Sequence, residues 1–430
     1  MKFQEEIDVE DQPYIKYALL HYFKSESSLI LLDGDDMPNS SFSWMLAAGS
    51  INEICSGTGG AFDKLQDFHS KHKDWIFGHL NYDLKNDVEH LESNNWDGIQ
   101  APEMSFFLPK YMFRCYDNKL SIYLHDSQNS FKYSDLSLYD AQESSHVQLE
   151  WKPRISSEEY LLKVQEIKNL IQRGDLYEMN YCQEFYANLV ELRPLSVYRK
   201  LFSHSGAPFS CYYRIQDIHL MCSSPERFLK KTGNKLLSQP IKGTKRRGVS
   251  SQEDNVLIKE LQTDPKERSE NVMIVDLVRN DLSRIARPSS VKVDELFGIY
   301  TFPQLHQMIS SVSCEISPRT ELKEILRATF PMGSMTGAPK ISAMKHIENF
   351  EKTKRGIYSG SVGYIDPDGD FDFNVIIRSL QYNAVNKYLS LMVGSAITIG
   401  SQAISEYEEC LLKARALFDV LKENNEESVS

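Results

Sequence analysis

Two pairs of glutamates at three-residue spacing, Glu267/Glu270 and Glu406/Glu409, constrain this chain more than any other feature. Residues three apart share one face of a helix, so each pair presents both carboxylates in the same direction. For all four to converge, two helices remote in sequence must be brought together. The first is well signalled: Asp264 reads as its N-cap, Pro265 as its first residue, and Val275, Val278 and Leu282 as its apolar stripe. The terminal helix carries Tyr407, Leu411, Ala414, Leu417 and Phe418 as its buried face, with Glu406, Glu409 and Lys413 along another. Glutamates in a first helical turn often serve only the helix dipole, and here it is their company that matters. Lys242, held between Pro240 and Gly243, reads as a lysine in a short turn. Four carboxylates and a separate lysine point to a divalent cation, an anionic substrate, and covalent or acid–base chemistry.

The rest of the pattern is α+β. Alternating or apolar segments predict strands at 28–32, 120–124, 177–186, 209–215 and 389–399. A helix opens on the capping box Ser156/Glu159, carries the stripe Tyr160, Val164, Ile167 and Ile171, and stops at Gly174. A further helix is expected over 319–328. Pro225 predicts a bend that aims Glu226 into a cavity; alone, Glu226 reads as a surface carboxylate paired with Arg227. The segments 358–365 and 373–382 read as two strands joined by Asp366-Pro367-Asp368-Gly369. Arg378, set among Val375, Ile376, Ile377 and Leu380, requires an anionic partner there.

Two glycine-rich segments need separate readings. The loop from Gly333 to Gly337 offers backbone N–H groups to a carboxylate, and is no Walker loop because Lys340 follows Ala338-Pro339. Ser56-Gly57-Thr58-Gly59-Gly60 lacks the Walker lysine and reads as a plain turn.

The net charge of -12 argues against a nucleic-acid binder. Seven scattered cysteines without a Cys-x-x-Cys pair disfavour a disulfide framework and a thiolate metal site, and fit a reducing compartment. The N-terminus has no signal-peptide core, and no apolar run is long enough for a membrane span, so a soluble cytoplasmic protein is expected. Residues 1–150 form an N-terminal part, 151–422 the motif-bearing region and 423–430 a frayed tail, all expected as one integrated unit.

Over about 155–420 the motifs together resemble the chorismate-utilising enzymes, the family containing anthranilate synthase, aminodeoxychorismate synthase and the isochorismate and salicylate synthases. The resemblance is carried by Ser224-Pro225-Glu226, Pro240-Ile241-Lys242-Gly243-Thr244, Glu267-x-x-Glu270, Gly337-Ala338-Pro339-Lys340, Tyr358-x-Gly360 with Arg378, and Glu406-x-x-Glu409 with Lys413-Ala414-Arg415. It implies a large antiparallel β-sandwich of two orthogonal sheets with helices packed outside. Anthranilate synthases carry alanine at the Lys242 position, and the lysine form is that of the aminodeoxychorismate synthase branch, which leads to 4-aminobenzoate and folate. Isochorismate and salicylate synthases place a water-activating lysine where this chain has Glu178, and aminating relatives usually carry glutamine there.

The resemblance further implies roles for particular residues. Mg2+ would be held by Glu270 and Glu409 directly, and by Glu267 and Glu406 through water. Arg378, Tyr358 and Lys413, with backbone N–H groups near Ser334 and Ala396, would bind the enolpyruvyl carboxylate of chorismate. Thr244 would bind the ring carboxylate, and His306 would lie near the ring or be a packed, hydrogen-bonded histidine. Lys242 would add to C2 as the 4-hydroxyl departs, Glu226 would protonate that hydroxyl, and ammonia would then displace the lysine. Lys242 must be neutral to attack, and Lys245, Arg246 and Arg247 are expected to help discharge it. No cysteine sits in a Gly-x-Cys-x-Gly elbow, so a separate glutamine amidotransferase subunit is implied as the ammonia source. The family's tryptophan-binding Leu-Leu-Glu-Ser segment is matched only in part, by Leu31-Leu32-Asp33-Gly34. The alternatives are an anthranilate synthase component and a non-catalytic regulatory homologue.

Overall fold

The architecture is organised by one long antiparallel ladder, Trp44–Ser56 against Met104–Tyr116, whose strands pair over almost their whole length. The structure, a computed structural model, describes residues 1–34, 40–125, 131–136, 149–302 and 305–421. The tail at 423–430 and much of the polar stretch at 133–150 lie outside the described residues.

Two branches of antiparallel sheet leave this ladder. One runs through Ser28–Asp33, Phe209–Ile215, Ile218–Ser224, Ser379–Asn383 and Tyr388–Thr398 to Glu178–Ala187. The other runs through Ile76–Leu80, Ser361–Ile365, Phe371–Asn374, Arg227–Thr232 and Lys235–Gln239 to Leu305–Glu315, which also pairs with Ile241–Arg246 and Lys292–Thr301. Hydrogen bonding is continuous through all of these strands, and every ladder is antiparallel. The pairings of 28–33 with 209–215 and of 76–80 with 361–365 tie the N-terminal third into both branches.

The period-two alternation of strand side chains assigns the core. Ile30, Leu32, Cys211, Tyr213 and Leu220 of the first branch meet Phe77, Val362 and Tyr364 of the second in a core between the layers. Leu29, Leu31, Tyr212 and Met221 point the other way, under the helices Ser157–Arg173, Pro194–Ser205 and Ala403–Leu421. Ile76, Leu80, Leu229 and Val312 do the same beneath Ala61–His72, Pro265–Ser283 and Leu322–Thr329. This is the expected α+β sandwich with helices outside, its two layers joined along the central ladder. Each fully buried Leu or Phe in these layers contributes ~1.5–3 kcal/mol through its apolar surface. Among the described residues no helix is long and apolar enough to cross a membrane.

Several local readings hold. Ser156 caps the helix Ser157–Arg173 and Gly174 ends it in the left-handed region. Asp264 caps Pro265–Ser283 through the N–H groups of Lys266 and Glu267. After Ser56 the chain turns into Ala61–His72 with the N–H groups of Gly59 and Ala61 donating to Asp87, so an internal carboxylate takes the place of any phosphate.

Others need correction. Lys242 lies in the strand Ile241–Arg246, whose register slips between Ile241 and Thr244; what reads as a turn is a bulge. Gly243 sits at φ 89°, and a Cβ there would lie 3.0 Å from a Glu267 carboxylate oxygen, so the bulge is also where the strand closes on the acidic helix. The predicted strand 373–382 is two strands: Phe371–Asn374 belongs to one branch, Ser379–Asn383 to the other, and the chain crosses between layers at 375–378. The helix expected over 319–328 runs Leu322–Thr329. In the terminal helix the buried residues are Glu406, Cys410, Ala414, Leu417, Val420 and Leu421, with Tyr407, Leu411 and Phe418 only partly buried.

Candidate active site

The site forms where the far ends of the two branches meet. Lys242, from the bulged strand of one branch, donates from Nζ to Glu178 Oε1, at the start of the last strand of the other, across 3.0 Å. Glu178 is 1% exposed and its Oε2 has no hydrogen-bond partner among the described residues. Burial disfavours the charge on Lys242, yet Glu178, Glu270 and Glu226 outweigh it and hold the amine above the ordinary lysine range. The resting lysine is therefore an ammonium.

Lys245, Arg246 and Arg247 do not discharge it. They pair outward with Glu260 at 3.6 Å, with Glu253, and with Asp254. The expectation fails because the helix Ser251–Thr263 carries acids that neutralise each of them.

Glu226 sits at the break between Ile218–Ser224 and Arg227–Thr232, where Pro225 ends the first strand. It is buried, and it is not paired with Arg227, whose guanidinium bridges Asp372 at 2.9 and 3.0 Å and donates to Gln239. Burial pushes the Glu226 carboxyl up to about 7, against the opposing effects of Ser334, Lys242, the Ile241 backbone and Arg378. A cavity of about 20 Å³, room for roughly one water, adjoins it, lined also by Pro240, Gly333 and Ser334.

The two glutamate pairs do come from neighbouring helices. Lys266 Nζ lies 3.8 Å from Glu270 and 3.9 Å from Glu406, and feels Glu409 and Glu267 as well. Ser395 donates to Glu406, and Lys413 pairs with Glu409 at 2.7 Å while donating to the Gly394 carbonyl at 2.8 Å. Among the described residues no three His, Cys, Asp or Glu side chains close on a common point at metal-binding distance. The donor set nevertheless fits a hard cation: it is all oxygen, and burial raises Glu270 to about 7 despite Lys242 and Lys266. Lys266, which approaches Glu270 and Glu406 only at 3.8 and 3.9 Å, is itself largely exposed.

A prediction follows from the sign of that shift. Glu270 has a folded-state pKa above the ordinary 4.5, so the metal-free protein loses stability as pH rises from there through about 7. Added Mg2+ is expected to raise the melting temperature more at pH 8 than at pH 6. The gain corresponds to about 2.7 kcal/mol at a hundredfold excess over Kd. Glu270→Gln should remove most of that increment; an equal increment in the variant would show that the cation binds elsewhere.

The other sequence-derived residues fall into two groups. Arg378 stands at the crossing between layers with φ 51°, and among the described residues no carboxylate pairs with its guanidinium. Tyr358 is buried; desolvation drives its pKa upward, so it remains a phenol. Ser334 lies in the short turn Gly333–Met335, and Ala396 pairs with Asn180 across the ladder. Of these, Ser334 and Arg378 both act on Glu226. Thr244 is solvent-exposed on the Lys242 strand. His306 is fully buried, with Nε2 2.9 Å from Asp254 and Nδ1 2.9 Å from Thr301, which makes it the packed histidine of the two readings.

Sequence reasoning missed two residues. Lys266 is foreshadowed only by its i,i+4 spacing from Glu270. Arg355, 1% exposed, pairs with Glu351 at 2.6 Å and donates to the carbonyls of Met335 and Asn180 and to the Ser359 hydroxyl. It fastens three site segments at once. In the N-terminal region Asp33 is occupied internally, accepting from Lys16 at 2.7 Å and from Tyr198, with Lys16 over the Phe202 ring.

A family model described as chorismate binding enzyme matches residues 39–419. The aminodeoxychorismate synthase component 1 of Klebsiella aerogenes is 32% identical over 348 residues, covering 80% of this chain and 76% of its own. The anthranilate synthase component 1 of Lactococcus lactis is 32% identical over 360 residues, covering 80% and 78%. Anthranilate synthase component I from Streptococcus pneumoniae superposes with a TM-score of 0.76 at 27% identity, covering 89% of this chain and 93% of that one.

Proposed function

The chain belongs to the chorismate binding enzyme family, and on that premise we propose that it is an aminating member, an aminodeoxychorismate synthase component that replaces the 4-hydroxyl of chorismate with an amine. The observation that carries this reading is a partly buried lysine, Lys242, hydrogen-bonded to Glu178 at 3.0 Å and set among acids that include the buried carboxyl of Glu226, raised to about 7. The aminodeoxychorismate synthase relatives support the same choice.

Chorismate is a dianion and needs fixed positive charge. Arg378, unpaired by any carboxylate among the described residues, offers it to the enolpyruvyl carboxylate, with the Tyr358 hydroxyl and the turn around Ser334 as further proposed contacts. Lys413, Thr244 and the backbone at Ala396 complete the proposed contacts. Glu270 and Glu409, backed by Glu267 and Glu406, would hold Mg2+, which supplies a countercharge for the ring carboxylate. Lys242 attacks C2, Glu226 gives its proton to the departing hydroxyl, and ammonia adds at C4 and expels the lysine. A glutamine amidotransferase subunit is the proposed source of the ammonia.

Glu226 makes the reading testable by pH. Its acid form is lost as pH rises through about 7, so kcat/KM is expected to fall above that value. Glu226→Gln should lower kcat by about 10²- to 10⁴-fold and abolish that limb of the profile. A profile with the limb intact in the variant would remove Glu226 as the acid. The second reading, anthranilate formation, is favoured by the Lactococcus lactis relative and is separated by product mass.

A further inference from the structure

We propose that Glu178 is the proton acceptor for Lys242, so that nucleophile and base are one internal ion pair of this chain. The inference rests on the aminating reading above and goes beyond it by assigning the step that frees the amine.

The geometry is specific. Glu178 is the hydrogen-bond partner of Lys242 Nζ, at 3.0 Å, and its side chain is sealed from solvent. Its second oxygen accepts nothing among the described residues and so has lone pairs free for a proton. The backbone that carries it is fixed on both sides, paired to Thr398 in one ladder and to Ala338 in the other. Gly337 makes the second pairing possible: at φ 148° it brings its backbone so close that a Cβ there would lie 2.2 Å from the Glu178 carbonyl.

The other charged groups facing Lys242 are Glu226, Glu267, Glu270 and Glu409. None of them is within ion-pair distance of Nζ. Glu226 is spent as the acid, and the remaining three belong to the cation cluster. With Nζ hydrogen-bonded to the Glu178 carboxylate, the resting lysine is charged, and attack requires a nearby acceptor. A glutamine at this position, as in aminating relatives, would hold the amine in place but could not take its proton.

The protons balance. As the Lys242–C2 bond forms, one ammonium proton passes to Glu178, the C4–O bond breaks, and the Glu226 proton leaves with the hydroxyl as water. Ammonia then bonds to C4 and the C2–N bond breaks, releasing Lys242 as a neutral amine. Glu178 returns its proton to that amine, and the ammonium formed at C4 loses one to Glu226. The sum is chorismate and ammonia to the 4-amino product and water, with both carboxyl groups restored.

The test compares the intact protein with Glu178→Gln and Glu178→Asp, supplied with chorismate, Mg2+ and ammonium salts from pH 6 to 9. Thermal melts check that each variant folds. Glu178→Gln is expected to lose about 10²-fold in kcat at pH 7. Its deficit should then narrow by about tenfold per pH unit, because its lysine proton must leave for solvent while the limb due to Glu226 is common to both proteins. Glu178→Asp should be slower than wild type by a ratio that does not change with pH. A pH-independent deficit in Glu178→Gln, or no deficit, overturns the proton-acceptor role. If wild type forms no 4-amino product, the aminating reading itself falls.

Discussion

Lys242→Ala is expected to lower formation of the 4-amino product by about 10³-fold or more, since removing a covalent nucleophile removes the pathway and not merely a contact. Protein quenched in acid during turnover should carry a mass increment on the peptide containing Lys242, and the variant none. The substitution also deletes half of a buried ion pair. Glu178 is left without its cation. Loss of activity with an unchanged melting profile would therefore speak for chemistry. Retention of the 4-amino product at more than a few per cent of the wild-type rate would contradict a covalent role.

The largest expected effect on stability lies at Arg355, outside the reacting groups. Its guanidinium is fully buried, bridges Glu351 at 2.6 and 2.9 Å, stacks 4.4 Å from the Tyr82 ring, and holds carbonyls of both Met335 and Asn180. Glu351 in turn accepts from the Cys182 N–H at 2.9 Å. Arg355→Met should cost about 3–5 kcal/mol, the usual penalty for stranding one partner of a buried pair. Chemical denaturation measures this as a lower midpoint. The double replacement Arg355→Met with Glu351→Met should recover part of the loss, because no buried charge is then uncompensated. A double variant less stable than the single would mean that the backbone carbonyls, not Glu351, are the costly groups.

What the sequence revealed, and what it concealed, divides along physical lines. Signals that act within one turn of helix were legible: the cap at Asp264, the stop at Gly174, and the glutamate pairs whose shared face follows from helical geometry. The bend at Pro225 was legible because proline cannot sit in a central strand. The crossing at 375–378 was not, since Val375-Ile376-Ile377 is as apolar as a strand and periodicity does not record a change of layer. Lys242 read as a turn because Pro240 and Gly243 are turn residues, whereas the fold uses the left-handed Gly243 as a bulge. The pairing of Lys242 with Glu178 joins residues 64 apart and depends on two strand registers, so no local pattern announces it. The same holds for Lys245, Arg246 and Arg247, whose charges looked available until the acids of the next helix were placed against them.

The central claim is tested most directly by product identity. Purified protein is incubated with chorismate, Mg2+ and ammonium at mildly alkaline pH, and the product is read by mass spectrometry beside Lys242→Ala. The account predicts 4-amino-4-deoxychorismate from the wild type and its loss in the variant. Anthranilate and pyruvate from the wild type would contradict it.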